Sequence, residues 1–170
     1  MLKKIGNKNT ETSNEIAMEK VVEDLLMISI KLDKQNMKDY YDYWRFIKTG
    51  RVPPLEIGVD SSDGSIQTIV FYIDSAFFVN MQEEIMNQEK KGLIFTDTSI
   101  FKKQNDYIDN DEQYYLFFKD KDLICSFTKD FQPEECYKND RIKLYINDNQ
   151  IIGFAISDLS DTEIETIKSV

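Results

Sequence analysis

Histidine is absent from this 170-residue chain. That single gap removes Ser-His and Cys-His nucleophile pairs, histidine-ligated zinc and the commonest general base near neutral pH. Cysteine is nearly absent too. Cys125 and Cys136 are too few for a disulfide scaffold, and their spacing does not match the paired CxxC arrangement of zinc sites, so reduced thiols are expected, with Cys125 in the core. No run reaches the roughly 18 apolar residues that span a bilayer. The early lysines Lys3 and Lys4 have no apolar stretch behind them that would make a signal peptide, so the chain reads as cytoplasmic, without a membrane partner. Three prolines and six glycines exclude collagen-like and low-complexity chains. No GxGxxG or GxxxxGK[ST] motif is present to cradle a phosphate.

What the chain does have is negative charge and aromatic rings. Lys and Arg number 21 against 31 Asp and Glu, a formal charge of -10, and 12% of residues are Phe, Tyr or Trp. Such a balance disfavours nucleic acid and favours a basic protein partner. Its length suits one domain. Residues 1–15 are polar and read as a flexible N-terminal tail, leaving residues 16–170 as a single α+β domain.

Alternation over Leu26, Ile28, Ile30 and Leu32 predicts a strand, with a short helical face before it at Ile16, Val21, Val22 and Leu25. Asn36 followed by Met37, Tyr40, Tyr41, Trp44 and Ile47 at helical spacing predicts a helix over 37–48, stopped by Gly50 and Pro53-Pro54. Residues 55–60 and 65–73 around Asp63-Gly64 predict a hairpin. A second helix is expected through Phe77, Phe78, Met81 and Ile85, ending at Lys90-Lys91-Gly92, followed by a short strand at Leu93-Ile94-Phe95. Two further hairpins span 114–127 and 141–156. Ser160 and Glu163 make a capping box for a terminal helix. The expected fold is therefore α+β: a mainly antiparallel sheet of hairpins with two to three packed helices. Residues 102–113 read as a long loop, and no repeat of fixed period is visible.

The search for chemistry is mostly one of exclusion. Asp74 with Glu89-Lys90-Lys91 formally matches the Asp…Glu-x-Lys pattern of metal-dependent nucleases, in which carboxylates hold a divalent ion and the lysine stabilises developing charge. Its expected place at a solvated helix end and the charge of -10 speak against that role. Asp60-Ser61-Ser62-Asp63-Gly64 lacks the spacing and the distant Glu of a calcium loop. No catalytic set, metal site or cofactor is expected. The densest carboxylate cluster lies in the longest loop, so Asp106, Asp109, Asp111 and Glu112, with Tyr107 as apolar anchor, are the expected partner-binding residues.

Leu55-Glu56-Ile57-Gly58-Val59-Asp60 through Phe71-Tyr72-Ile73, and Ile142-Lys143-Leu144-Tyr145-Ile146-Asn147-Asp148-Asn149 through Ile164, form a strand, acidic turn, strand and closing helix pattern. It resembles that of the immunity proteins of bacterial polymorphic-toxin and contact-dependent inhibition systems. The resemblance implies a cytoplasmic, non-enzymatic protein that binds one cognate, often basic, toxin domain and blocks its active site or substrate path. The alternative is a structural or regulatory interaction domain with another protein partner.

Overall fold

The computed structural model describes residues 1–38, 40–47, 52–80 and 88–170. Among the described residues, fourteen strands run in chain order: β1 (Lys4–Lys8), β2 (Glu15–Val22), β3 (Leu25–Lys31), β4 (Asp42–Phe46), β5 (Leu55–Val59), β6 (Ile66–Ile73), β7 (Glu89–Lys91), β8 (Leu93–Thr96), β9 (Tyr107–Asn110), β10 (Tyr115–Lys119), β11 (Asp122–Ser126), β12 (Glu135–Asn139), β13 (Ile142–Asn147) and β14 (Gln150–Ile156). The α-helix α1 (Asp161–Lys168) closes the order.

The expectation of an α+β fold with two to three packed helices is overturned. The described chain is mostly strand, in three sheets, with one short α-helix. The Met37-to-Lys48 helix does not exist over its described residues: Asp42–Phe46 is a strand instead, and Lys48 lies outside them. Trp44 and Phe46 point into the core while Tyr43 and Arg45 stay solvent-touching, which is period two. Residues i and i+4 share a face in a helix and in a strand alike, so Tyr40 and Trp44 fit both periods and tertiary pairing decides. Of the helix expected through Phe77, the described residues form a 3₁₀ turn, Ser75–Phe77, capped by the Asp74 carboxylate, and strand β7 at its expected end, Lys90-Lys91. Met81 and Ile85 lie outside the described residues. Ile16, Val21, Val22 and Leu25, expected on a short helical face, lie instead in strands: the first three in β2, and Leu25 at the start of β3.

The three predicted hairpins form as β5–β6, β10–β11 and β13–β14. In the last, Asp148 and Asn149 have φ of 47° and 58°, the left-handed pair that a two-residue turn requires and that Asp and Asn tolerate. Ser160 and Glu163 make the predicted capping box on α1, and Arg141 grips Glu163 with both terminal nitrogens, at 3.1 and 2.9 Å.

The first large sheet has strand order β2-β3-β6-β5-β4-β9, the second β10-β11-β14-β13-β12-β7. These are the same topology. In each, a hairpin is followed by a three-strand meander whose last strand pairs back onto the hairpin, and a sixth strand adds in parallel beside the meander's first. The registers coincide as well. Tyr43 pairs Gly58 and Gly58 pairs Thr68, as Cys136 pairs Tyr145 and Tyr145 pairs Gly153. Both meanders carry a register shift at the equivalent step, Gly58/Val59 and Tyr145/Ile146. The parallel edges match too: Tyr107 beside Tyr43 corresponds to Glu89 beside Cys136. The chain thus holds a structural duplication. A fixed sequence period hides it because the connections differ in length: residues 47–54 join β4 to β5, whereas two residues, Asp140 and Arg141, join β12 to β13.

The inner faces of the sheets meet in one core. Phe71 packs edge-on to Phe154 at 5.1 Å, and Trp44 and Phe46 meet Phe127 at 5.7 and 4.6 Å. Cys125 lies in this core, and both cysteines are free thiols. Residues 1–15, read as a flexible tail, contribute β1, the completely buried Leu2 and part of β2. β1 pairs antiparallel with β8 in a ribbon that binds the β5–β6 and β13–β14 turns: Lys4 N–H donates to Asn149 C=O, and Thr96 N–H to Gly64 C=O. Only glycine fits at 64, where φ is +78° and a Cβ would fall 2.2 Å from the Thr96 carbonyl oxygen.

One ionic cluster ties β1 and β7 to β12. The Glu135 carboxylate accepts from Lys90 at 2.7 Å, from the Tyr137 hydroxyl at 2.8 Å and from Lys4 at 3.2 Å. Both ammonium groups also sit over the Tyr137 ring. These donors hold the Glu135 carboxyl down at about 2, against an ordinary 4.5. A carboxylate with a lowered folded value stabilises fully above the unfolded value and loses that contribution as pH falls toward the folded one. Glu135→Gln is therefore expected to cost about 1–2 kcal/mol at pH 7, after allowance for solvent screening. In urea titrations the gap from wild type should narrow below pH 4.5 and close near pH 2. A gap constant from pH 7 to pH 2 would contradict this.

Candidate interaction surface

Alternation along the strands sends every second side chain of the first sheet outward, and the registers line these up in rows. One row crosses all six strands as Tyr107, Tyr43, Gly58, Thr68, Lys31 and Glu15; the next as Asp109, Arg45, Glu56, Val70, Ser29 and Ala17. A shorter third holds Tyr72, Met27 and Glu19. Except for Gly58, screened by Tyr43 and Thr68, every one of these residues keeps solvent contact. Tyr107 is 57% exposed.

The outer face of the second sheet is different although its topology is the same. Phe117, Ile124, Cys136, Tyr145, Ile152 and Ala155 form a second buried cluster there. Its plug is Phe131, from the β11–β12 connection. The ring meets Phe117 and Tyr145 edge-on at 5.8 and 5.1 Å and lies over Gly153, where a Cβ would fall 2.9 Å from Phe131 Cε2. The β3–β4 connection of the first half is buried only at the margin of its sheet: Tyr41 meets the Tyr43 ring edge-on at 6.2 Å, whereas Met37 and Tyr40 are exposed, and among the described residues no ring of this connection sits over the middle of the face as Phe131 does.

The five predicted partner-binding residues do not form one loop cluster. Residues 107–110 are strand β9, added in parallel to β4, so the expected long loop is corrected. Pairing so distant in sequence leaves no turn signal, and four residues are too few for a visible period. Tyr107 and Asp109 face outward on the open sheet and are brought together with Tyr43 and Arg45. The Arg45 guanidinium stacks on the Tyr107 ring at 4.3 Å and its Nε donates to Asp109 at 2.6 Å. That bond, first, and the neighbouring Glu56 raise Arg45 above its usual value. Asp106 works locally: its carboxylate accepts the Lys102 N–H and its own N–H donates to Asp42. The Lys102 bond holds the Asp106 carboxyl below the ordinary range. Asp111 and Glu112 are exposed just beyond the strand.

Sequence reasoning missed Tyr43, Arg45, Glu56, Val70, Tyr72 and Met27. The signal was present in the alternation of Tyr43 and Arg45 with Trp44 and Phe46.

A cleft of about 290 Å³ opens beside the plugged face, where Lys143 Nζ lies 2.6 Å from Glu89 and 2.9 Å from Asp122, next to Cys136 and Tyr145. Burial pushes the Cys136 thiol up to about 12 and raises Tyr145, while the hydrogen bonds Lys143 donates to the two carboxylates outweigh burial and raise its own value. At neutral pH the lysine is charged and the thiol and phenol are neutral, so none of the three is poised to exchange a proton. The Glu-x-Lys pattern is taken apart: Asp74 caps a 3₁₀ turn, Glu89 pairs with Lys143, and Lys91 lies 3.9 Å from Glu11. Among the described residues no group of three or more Cys, Asp or Glu is placed to hold a metal ion, and no helix is long and apolar enough to cross a membrane.

No protein-family model matches the chain, and no curated protein matches it.

Proposed function

We propose that this chain is a protein-binding module that neutralises a cognate bacterial toxin in the cytoplasm, acting as an immunity protein and not as an enzyme, with the open face of the first sheet as its contact surface. One observation carries the reading: two sheets of one topology and register, one closed from within by Phe131 and the other left open across six strands. Tyrosine suits such a surface, because the ring buries much area at small entropic cost and keeps a hydroxyl for a polar contact. Glu15, Glu19, Glu56 and Asp109 outnumber Lys31 and Arg45 on the face, and the chain carries -10 overall, which favours a basic partner. The exposed Asp111 and Glu112 extend that field and would speed encounter.

The proposal expects a toxin domain to be encoded beside this chain, and the absence of such a gene counts against it; the test is co-expression of the two, read as rescue of growth, together with the Kd of the purified pair. Wild type is expected to rescue, and Tyr107→Ala to weaken binding at least tenfold, as truncation of a central aromatic anchor does. A wild type that neither rescues nor binds overturns the proposal. Unchanged affinity of Tyr107→Ala removes this face from the interface.

A further inference from the structure

The duplication also exposes an asymmetry between two sheet edges. β10, the outermost strand of the second sheet, is covered: Phe78 bridges Leu116 in parallel, and Val79 N–H donates to Leu116 C=O at 2.9 Å. Its counterpart in the first sheet is β2. Tyr115 pairs Ser126 as Glu15 pairs Lys31, which makes Ile16 the equivalent of Leu116. The Leu32 N–H donates to Gln67 C=O, so the even residues of β3 bond to β6 and its odd residues turn toward β2. Glu15, Ala17 and Glu19 therefore bond to β3, while Ile16 and Met18 aim their N–H and C=O groups away from the sheet. Among the described residues, none pairs with them.

Proteins commonly shield such an edge by shortness, by a bulge or by lysine. β2 has eight residues, and its one register shift and one lysine fall at its far end, between Lys20 and Val22, leaving residues 15–19 regular. We infer that β2 is a strand-addition site that takes an extended segment of the basic protein partner, as Phe78 and Val79 occupy the matching edge of β10. The inference rests on the proposed toxin-binding reading and extends its contact surface around the sheet's edge. Main-chain bonds at Ile16 and Met18 supply affinity, and alternate side chains supply choice. On the inner side, Ile16 and Met18 pack partly buried against the core and accept apolar neighbours. On the outer side Glu15 is engaged by Lys31 at 2.6 Å, whereas Glu19 has no ion-pair partner among the described residues and Ala17 leaves room beside it. The fitting segment alternates apolar residues with a Lys or Arg set against Glu19, a choice that the charge of -10 reinforces.

The experiment follows amide hydrogen exchange by NMR in the full chain, free and bound to the toxin domain encoded beside it. Slowing of the Ile16 and Met18 amides by at least 100-fold in the complex is expected. Met18→Pro removes an outward N–H without touching the β3 ladder, a position where edge strands accept proline, and should weaken binding at least tenfold. If that variant misfolds, the wild-type exchange data still decide. Equal exchange at Ile16 and Met18 in free and bound chains, with binding intact, overturns the edge site alone. Absence of binding by wild type overturns it together with the toxin reading. The same protection in the free chain, with a dimer mass by light scattering, assigns the edge to a second copy and overturns it too.

Discussion

Trp44→Ala should destabilise the chain by about 3–5 kcal/mol, the range for truncating a fully buried large aromatic. Trp44 is 1% exposed, sits 4.4 Å from Phe46 and meets Phe127 from the opposite sheet, so its removal leaves a cavity where the two sheets join. The strand neighbours set the contrast. Tyr43→Ala, one residue away on the open face, should cost less than about 1 kcal/mol, since little packing is lost there. A helix over 37–48 would place residues 43 and 44 differently, so the pair of urea midpoints tests strand period as well as burial. Near-equal losses at 43 and 44 would contradict the assignment.

Phe131→Ala should cost a similar 3–5 kcal/mol, although its residue belongs to a connection and not to a strand. Deleting the ring unroofs Gly153, Phe117 and Tyr145 and wets Ile124 and Ile152, which are 1% and 6% exposed. The variant gains a contiguous apolar patch on its second sheet, and such patches drive association. Loss of thermal stability accompanied by increased binding of an apolar fluorophore is the expected result. A stable, monomeric variant that binds no more dye would show that Phe131 is not the plug.

These two residues also mark where the sequence can be read and where it cannot. Turn chemistry is local, so Asp63-Gly64, residues 119–122 and Asn147-Asp148-Asn149-Gln150 announce their hairpins, and Ser160 with Glu163 announces its helix. The segment around Trp44 carries no turn, and its aromatic spacing serves two periods, so the choice fell to pairing with β5, across residues 47–54, and with β9, which is distant in sequence. β7 and β9 are three and four residues long and pair in parallel with strands about 50 or more residues away, by order of the registers, which leaves neither a turn nor a period to read. Tyr107 and Asp109, proposed for partner contact, stood out as an aromatic near a carboxylate. That they share a face with Tyr43, Arg45 and Glu56 is a property of register, which single-sequence periodicity does not encode. The duplication is hidden for the same reason: it lives in which residues pair, not in which residues recur.

The sixth strands of the two large sheets are exchanged along the chain. β7, which follows the first meander, completes the second sheet, and β9, which precedes the second hairpin, completes the first. As the chain leaves the ribosome, β2 to β6 can pair among themselves, but their sheet stays one strand short until residues 107–110 emerge. β7 in turn waits for a partner, β12, that is made later still. Neither half can therefore finish alone. Completing either sheet thus depends on pairings between residues far apart in sequence, the kind of contact that slows folding, and the exchanged strands tie the two sheets together.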